Sequence, residues 1–94
     1  MAVITSTEEL TCLRRSGRIL AAAMEETVAA IRPGVSTADL NTIAYRAIHA
    51  RGGRPSFLGY NGYPAALCTS VNQEVVHGIP SPDRVLVDGD LIGL

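Results

Sequence analysis

Pro33, with Gly34 behind it, separates two stretches that each repeat apolar residues at intervals of three and four, and it lets neither run into the other. A proline biases the residue before it away from the helical region and has no amide hydrogen to continue a helical ladder, so Arg32-Pro33-Gly34 reads as a stop. Upstream, Leu10, Leu13, Gly17, Leu20, Met24, Val28 and Ile31 form the apolar stripe of one long amphipathic helix, and Ser6 with Glu9 has the spacing of a capping box at its start. Downstream, Ser36 with Asp39 opens a second helix. Its stripe is Leu40, Ile43, Ala44, Ala47 and Ile48, and Gly52-Gly53 supplies the permissive backbone that closes it. Two helices therefore fill the first half of the chain.

The helical spacing ends at Pro55. Glycine, proline and tyrosine punctuate residues 55 to 64, and the runs Ala65 to Val71 and Glu74 to Ile79 flank Asn72-Gln73, which together read as a loop and then a hairpin. Ser81-Pro82-Asp83 is a turn, Val85 to Val87 a short extended piece, Asp88-Gly89-Asp90 another turn, and Leu91 to Leu94 the opening of a strand. No repeat, linker or low-complexity tract divides the sequence. At 94 residues it has room for one small core. The expected class is α/β in the α+β sense, two helices on an antiparallel sheet, with residues 1–94 a single domain.

Composition excludes several functions. Nine acidic against eight basic side chains leave a net charge of -1, too little field to hold a phosphate backbone or an anionic membrane surface. Nucleic acid and membrane are therefore not expected partners. Cys12 and Cys68 lie far apart with no CxxC or Cys/His spacing, which suggests neither a zinc site nor a disulfide and fits a reducing cytoplasm. The opening MAVITSTEEL has no basic n-region and no apolar h-region, and no later window approaches 18 uninterrupted apolar residues.

Few side chains carry chemistry. His77 ends the apolar run of EVVHGIP and directly precedes a Gly-x-Pro turn; it can serve as a core histidine, a metal ligand or a substrate-facing donor near neutral pKa. Ligation is disfavoured because Asp83, Asp88 and Asp90 sit in turns and no second histidine or glutamate stands at a helical i, i+4 spacing. His49 fits a surface position near a helix C-terminus. Tyr60 and Tyr63, within GYNGYP, are presented from a loop too rich in glycine to be a regular strand. Taken singly, the tyrosines and Cys68 are compatible with ordinary packing.

Their order narrows the reading. A capped helix ending in RPGVST, a second helix, SFLGYNGYPAALCTSVNQEVVHGIP and then DGDLI resemble the N-terminal part of the type I methionine aminopeptidases, over essentially the whole chain. GYNGYP followed by SVNQEVVHGIP at this separation is the specific element of that resemblance.

The resemblance implies the N-terminal half of a pita-bread fold, truncated, as the incomplete first part of a catalytic domain that removes the N-terminal methionine from nascent proteins. It implies that His77 faces the substrate and hydrogen-bonds the scissile amide or assists proton transfer, and that Tyr60, Tyr63 and Cys68 line the pocket for the methionine side chain. Phe57 stands where some members carry another cysteine, a change that alters the pocket's width. Two divalent metal ions (Mn, Fe, Co or Zn) belong to the full-length enzyme, held by two Asp, one His and two Glu, and none of those five positions falls in this sequence. No metal is expected in these 94 residues, and no activity from them alone. The implied partners are N-terminal methionine of nascent chains and the ribosome, and the isolated segment is expected to self-associate. The alternative is a non-catalytic pita-bread fragment or binding protein that lacks the metal site.

Overall fold

The structure is a computed structural model that describes residues 3–55, 58–59, 62, 64–74 and 78–94. Two helices come first, α1 (Thr7–Ala29) and α2 (Thr37–Ala50), followed by two short strands, β1 (Ser70–Val71) and β2 (Ile92–Gly93).

The helix ends follow from local chemistry. Ser6 caps α1 by accepting the Glu9 amide at 3.1 Å, but the Glu9 carboxylate reaches back to Thr5, not Ser6, accepting its N–H at 2.9 Å and its hydroxyl at 3.0 Å. The expected capping box is thus displaced by one residue on its return side. At α2 the box is complete: Ser36 Oγ accepts from Asp39 N–H at 3.0 Å, and Asp39 Oδ2 accepts from Ser36 N–H at 3.1 Å. Gly52, at φ 82°, ends α2. Its N–H donates to His49 O and the Gly53 N–H to Ile48 O, each at 3.0 Å, which is the Schellman pattern.

α2 buries the stripe its sequence specifies, with Leu40, Ala44 and Ala47 fully buried. α1 does not. Its buried residues are Ala23 and Thr27, whereas Leu13, Leu20 and Val28 of the expected stripe remain 52%, 58% and 52% exposed. The cause is what lies opposite. The side of α1 that meets α2 carries Ala23 and Thr27, one helical turn apart and buried, with Ile19 a turn earlier beside Gly53. The Thr27 hydroxyl is satisfied inside that contact by the Ala23 carbonyl at 2.7 Å. α1 is also the longer helix, at 23 residues against 14. Ile19 already lies level with Gly53, beyond the end of α2, so the turns from Thr7 to Arg15 project past it and are exposed except for half-buried Leu10.

The core gathers Val35, Leu40, Ala44, Leu67, Val71 and Leu86, with Ile31, Ile92 and Leu94 packed against it. Val85 to Val87 is extended as expected: Leu86 N–H donates to Val35 O and Gly34 N–H to Leu86 O, both at 2.8 Å, tying this piece to the chain that leads into α2. The sheet is antiparallel, with Ser70 opposite Gly93 and Val71 opposite Ile92. Ser70–Val71 therefore pairs with the end of the chain. Among the described residues, the expected hairpin partner, Glu74 to Ile79, makes two backbone bonds to this segment, Thr69 N–H to Gly78 O at 2.7 Å and Glu74 N–H to Val71 O at 3.1 Å; Val75, Val76 and His77 lie outside the described residues.

Candidate active site

Four of the expected site residues, Phe57, Tyr60, Tyr63 and His77, lie outside the described residues. The scaffold that brackets them is described. From Leu67 to Val71 burial alternates: Leu67, Thr69 and Val71 are buried, while Cys68 and Ser70 are half-buried on the other face, as successive side chains of an extended chain should be. Leu67 and Val71 belong to the core, so the inner face anchors the segment. The backbone before it is held by Asn41 of α2, whose Oδ1 accepts the Ala66 N–H at 2.8 Å.

Cys68 also borders an open apolar groove of about 540 Å³ between α1, the end of α2 and Leu94, lined by Ile19, Met24 and Ile48 among others. Its thiol is free, as is that of exposed Cys12.

Past Cys68 the chain meets two fixed points. At Glu74, the side-chain Oε1 accepts the Val71 N–H at 3.1 Å and the backbone N–H donates to Val71 O at 3.1 Å. At Gly78, the carbonyl accepts from Thr69 N–H, and the N–H donates to Ser70 Oγ at 3.2 Å. Gly78 is buried, and a Cβ on it would run into the Thr69 carbonyl. His77 is the residue before it in sequence.

Asn72 turns the chain between these points at φ 53°, a backbone that asparagine tolerates better than most residues. Its N–H donates to Leu91 O at 2.8 Å and its Oδ1 accepts from Leu91 N–H at 2.9 Å, so the side chain extends the β1–β2 pairing by one residue. Neither Ser70 nor Asn72 stood out in the sequence. The one available signal for Asn72 was its place at a turn after an apolar run.

Of the turn aspartates, Asp90 is structural. Asp90 Oδ2 accepts from Val87 N–H and Oδ1 from Asn72 Nδ2, both at 2.9 Å. Those bonds, the Val87 amide first, hold its carboxyl below the usual carboxylate pKa. Asp39 is engaged in the α2 cap. Among the described residues no three His, Cys, Asp or Glu side chains come together as a metal site. With both Asp90 oxygens committed, these residues do not fit a pair of divalent ions. His49 is exposed, as its position in the last turn of α2 implied, and stacks on Tyr45 with centroids 5.9 Å apart.

The family model for Metallopeptidase family M24 matches residues 11–94, from the second turn of α1 through β2. The chain belongs to metallopeptidase family M24. Within that family it is 48% identical over 94 residues to methionine aminopeptidase 1 of Bacillus subtilis, covering 100% of this chain and 38% of the relative. Its fold matches the crystal structure of methionine aminopeptidase from Thermotoga maritima with a TM-score of 0.92 at 35% identity, covering 98% of this chain and 37% of the other. The methionine aminopeptidase structure from Rickettsia prowazekii gives a TM-score of 0.89 at 32% identity with the same coverage, 98% and 37%. The chain thus spans little more than a third of the length of the M24 proteins it resembles, and its helices and sheet match the corresponding part of their pita-bread fold. No helix among the described residues is long and apolar enough to cross a membrane.

Proposed function

We propose that residues 1–94 are the N-terminal part of a methionine aminopeptidase catalytic domain, which removes the N-terminal methionine from nascent polypeptides in the cytoplasm by metal-dependent hydrolysis. The observation that carries this reading is the 48% identity to the Bacillus subtilis methionine aminopeptidase, continuous over all 94 residues. In this reading His77 hydrogen-bonds the scissile amide or assists proton transfer. Tyr60, Tyr63, Cys68 and Phe57 form the pocket for the methionine side chain. The chemistry suits the ligand, because a thioether is polarizable and packs well on aromatic edges and a soft thiol. The metal pair, drawn from Mn, Fe, Co or Zn, activates the attacking water when bound, and its ligands are supplied outside this chain. Ribosome association would bring the site to emerging N-termini.

The test is a complete enzyme carrying this segment, made by joining the 94 residues to the remainder of the Bacillus subtilis relative. With each divalent metal supplied in turn, it should release methionine from methionyl peptides. His77→Ala should lower kcat by roughly 10²–10⁴-fold while changing KM far less, as expected for a positioned hydrogen-bonding or proton-transfer group. A folded, metal-loaded hybrid without turnover would favour the non-catalytic alternative.

A further inference from the structure

We propose that α1 is a self-docking helix: its face through Leu13, Gly17, Leu20 and Val28 takes the same face of a second copy of the chain running antiparallel, with Arg14 of each copy beside Glu25 of the other.

That face is bare. Leu13, Leu20 and Val28 are each more than half exposed, and at Gly17 nothing lies within 4 Å of the point where a Cβ would stand. From Leu10 to Val28 the stripe runs about 27 Å along the helix. A continuous apolar stripe left open on a folded chain marks an interaction face. Its two edges differ in kind. At about 100° per residue, Leu13 and Leu20 fall on one side of the line through Leu10, Gly17 and Val28, while Arg14 and Glu25 fall on the other.

The charged edge finds no opposite charge on its own helix. Arg14 has Arg18 one turn ahead, a like-charge spacing that weakens a helix, and the positions three and four away from Glu25 hold Ala21, Ala22, Val28 and Ala29. Among the described residues neither Arg14 nor Glu25 has an ion-pair partner; the pair that forms is Arg51 with Glu26, at 2.8 Å.

An antiparallel second copy answers both edges. A two-fold axis perpendicular to the helix lays each edge against the same edge of the other copy, running in reverse. With the axis midway between Arg14 and Glu25, near Leu20, Arg14 of each copy faces Glu25 of the other, the Leu20 side chains meet across the axis, and Leu13 of one falls beside Met24 of the other. A depression bordered by Ala21, Met24, Glu25 and Val28 lies open there to receive it. Gly17 sits less than a turn from the axis, where the absence of a side chain lets the two backbones approach. An anionic surface would match Arg14 and Arg18 but would meet Glu25 on the same edge. A copy of the chain matches both signs.

Sedimentation equilibrium of the complete hybrid enzyme tests this, and because it reads mass and not turnover, its result is separate from the proposed activity. A dimer is expected. Arg14→Glu and Glu25→Arg should each weaken it about tenfold or more, since either reversal sets like charges together at both symmetry-related contacts. The double variant Arg14→Glu/Glu25→Arg restores the pair with its signs exchanged and should regain most of the affinity. A dimer indifferent to the single reversals, or a double variant as weak as either single one, would overturn the inference. A hybrid that stays monomeric at every concentration would do so too, and would mean that the rest of the enzyme or another partner covers the stripe. If a reversal variant does not fold, Arg14→Gln and Glu25→Gln decide: a severalfold weaker dimer supports the pairing, and an unchanged one overturns it.

Discussion

Asn72 grips Asp90 across the β1–β2 end, donating from Nδ2 to Oδ1 at 2.9 Å while its own Oδ1 accepts the neighbouring Leu91 N–H at 2.9 Å. One side chain thus joins the turn after β1 to the turn before β2. The Asp90 carboxylate completes the link by accepting Val87 N–H at 2.9 Å.

Asp90 should therefore titrate below the ordinary value of 3.8, chiefly through the Val87 amide and next through Asn72. A depressed folded-state pKa contributes stability that is fully present above the unfolded value and is lost as pH falls through the folded one. The acid limb of the stability curve, below about pH 4, is where the contribution of Asp90 disappears. Carboxyl NMR titration should give a midpoint below 3.8 in the wild type and a higher one in Asn72→Ala. Equal midpoints would show that the side-chain bond has no effect on the charge.

Ser36→Ala should loosen the start of α2. It removes the oxygen that accepts Asp39 N–H at 3.0 Å, half of a complete capping box at a buried position. Loss of such a cap costs about 0.5–2 kcal/mol. Amide exchange over the first turn of α2 should quicken severalfold, and Ser36→Asp should recover most of the protection. The last turn, closed independently by Gly52 and Gly53, should exchange at its original rate.

Substitutions in the proposed methionine pocket should change selectivity. In the complete hybrid enzyme, Tyr63→Ala or replacement of Cys68 by a bulky residue should shift the preference among N-terminal Met, Leu and norleucine. An apolar pocket discriminates by about 1–3 kcal/mol per methylene. Metal binding, measured by calorimetry, should stay unchanged. Equal losses for every N-terminal residue would count against the pocket assignment.

The 94 residues by themselves should bind no catalytic metal pair, release no methionine and self-associate. Among the described residues no ligand cluster is present. Leu13, Leu20, Val28, Val87 and Leu91 are exposed, and an apolar groove lies open beside α1. Exposed apolar surface of that kind recruits other chains. Calorimetric titration with Mn²⁺ or Co²⁺, a methionyl-peptide assay and light scattering test the three parts separately. Tight binding of two ions with turnover would overturn the placement of the metal site, and a monodisperse monomer with a cooperative melt would overturn the last part.

The sequence by itself determined the helix boundaries and the motif order. Ser36 and Asp39 lie within one turn of each other, and Gly52 acts on carbonyls only a few residues away, so these signals carry their own geometry. The apolar face of α2 was legible for the same reason. The motif GYNGYP with SVNQEVVHGIP pointed to the family because it is a pattern of residue types, legible without coordinates. Tertiary structure decided which side of α1 is covered and what β1 pairs with. The stripe through Leu13, Leu20 and Val28 is the more apolar, yet it is the side with Ala23 and Thr27 that is buried, a choice made by what packs against α1 and not contained in its periodicity. Pairing of Ser70–Val71 with Ile92–Gly93 likewise joins residues far apart in sequence, and it leaves Gly78 to be held by a serine hydroxyl. Local rules reach a few residues along the chain; a strand partner and a buried face are chosen by what the folded core brings alongside.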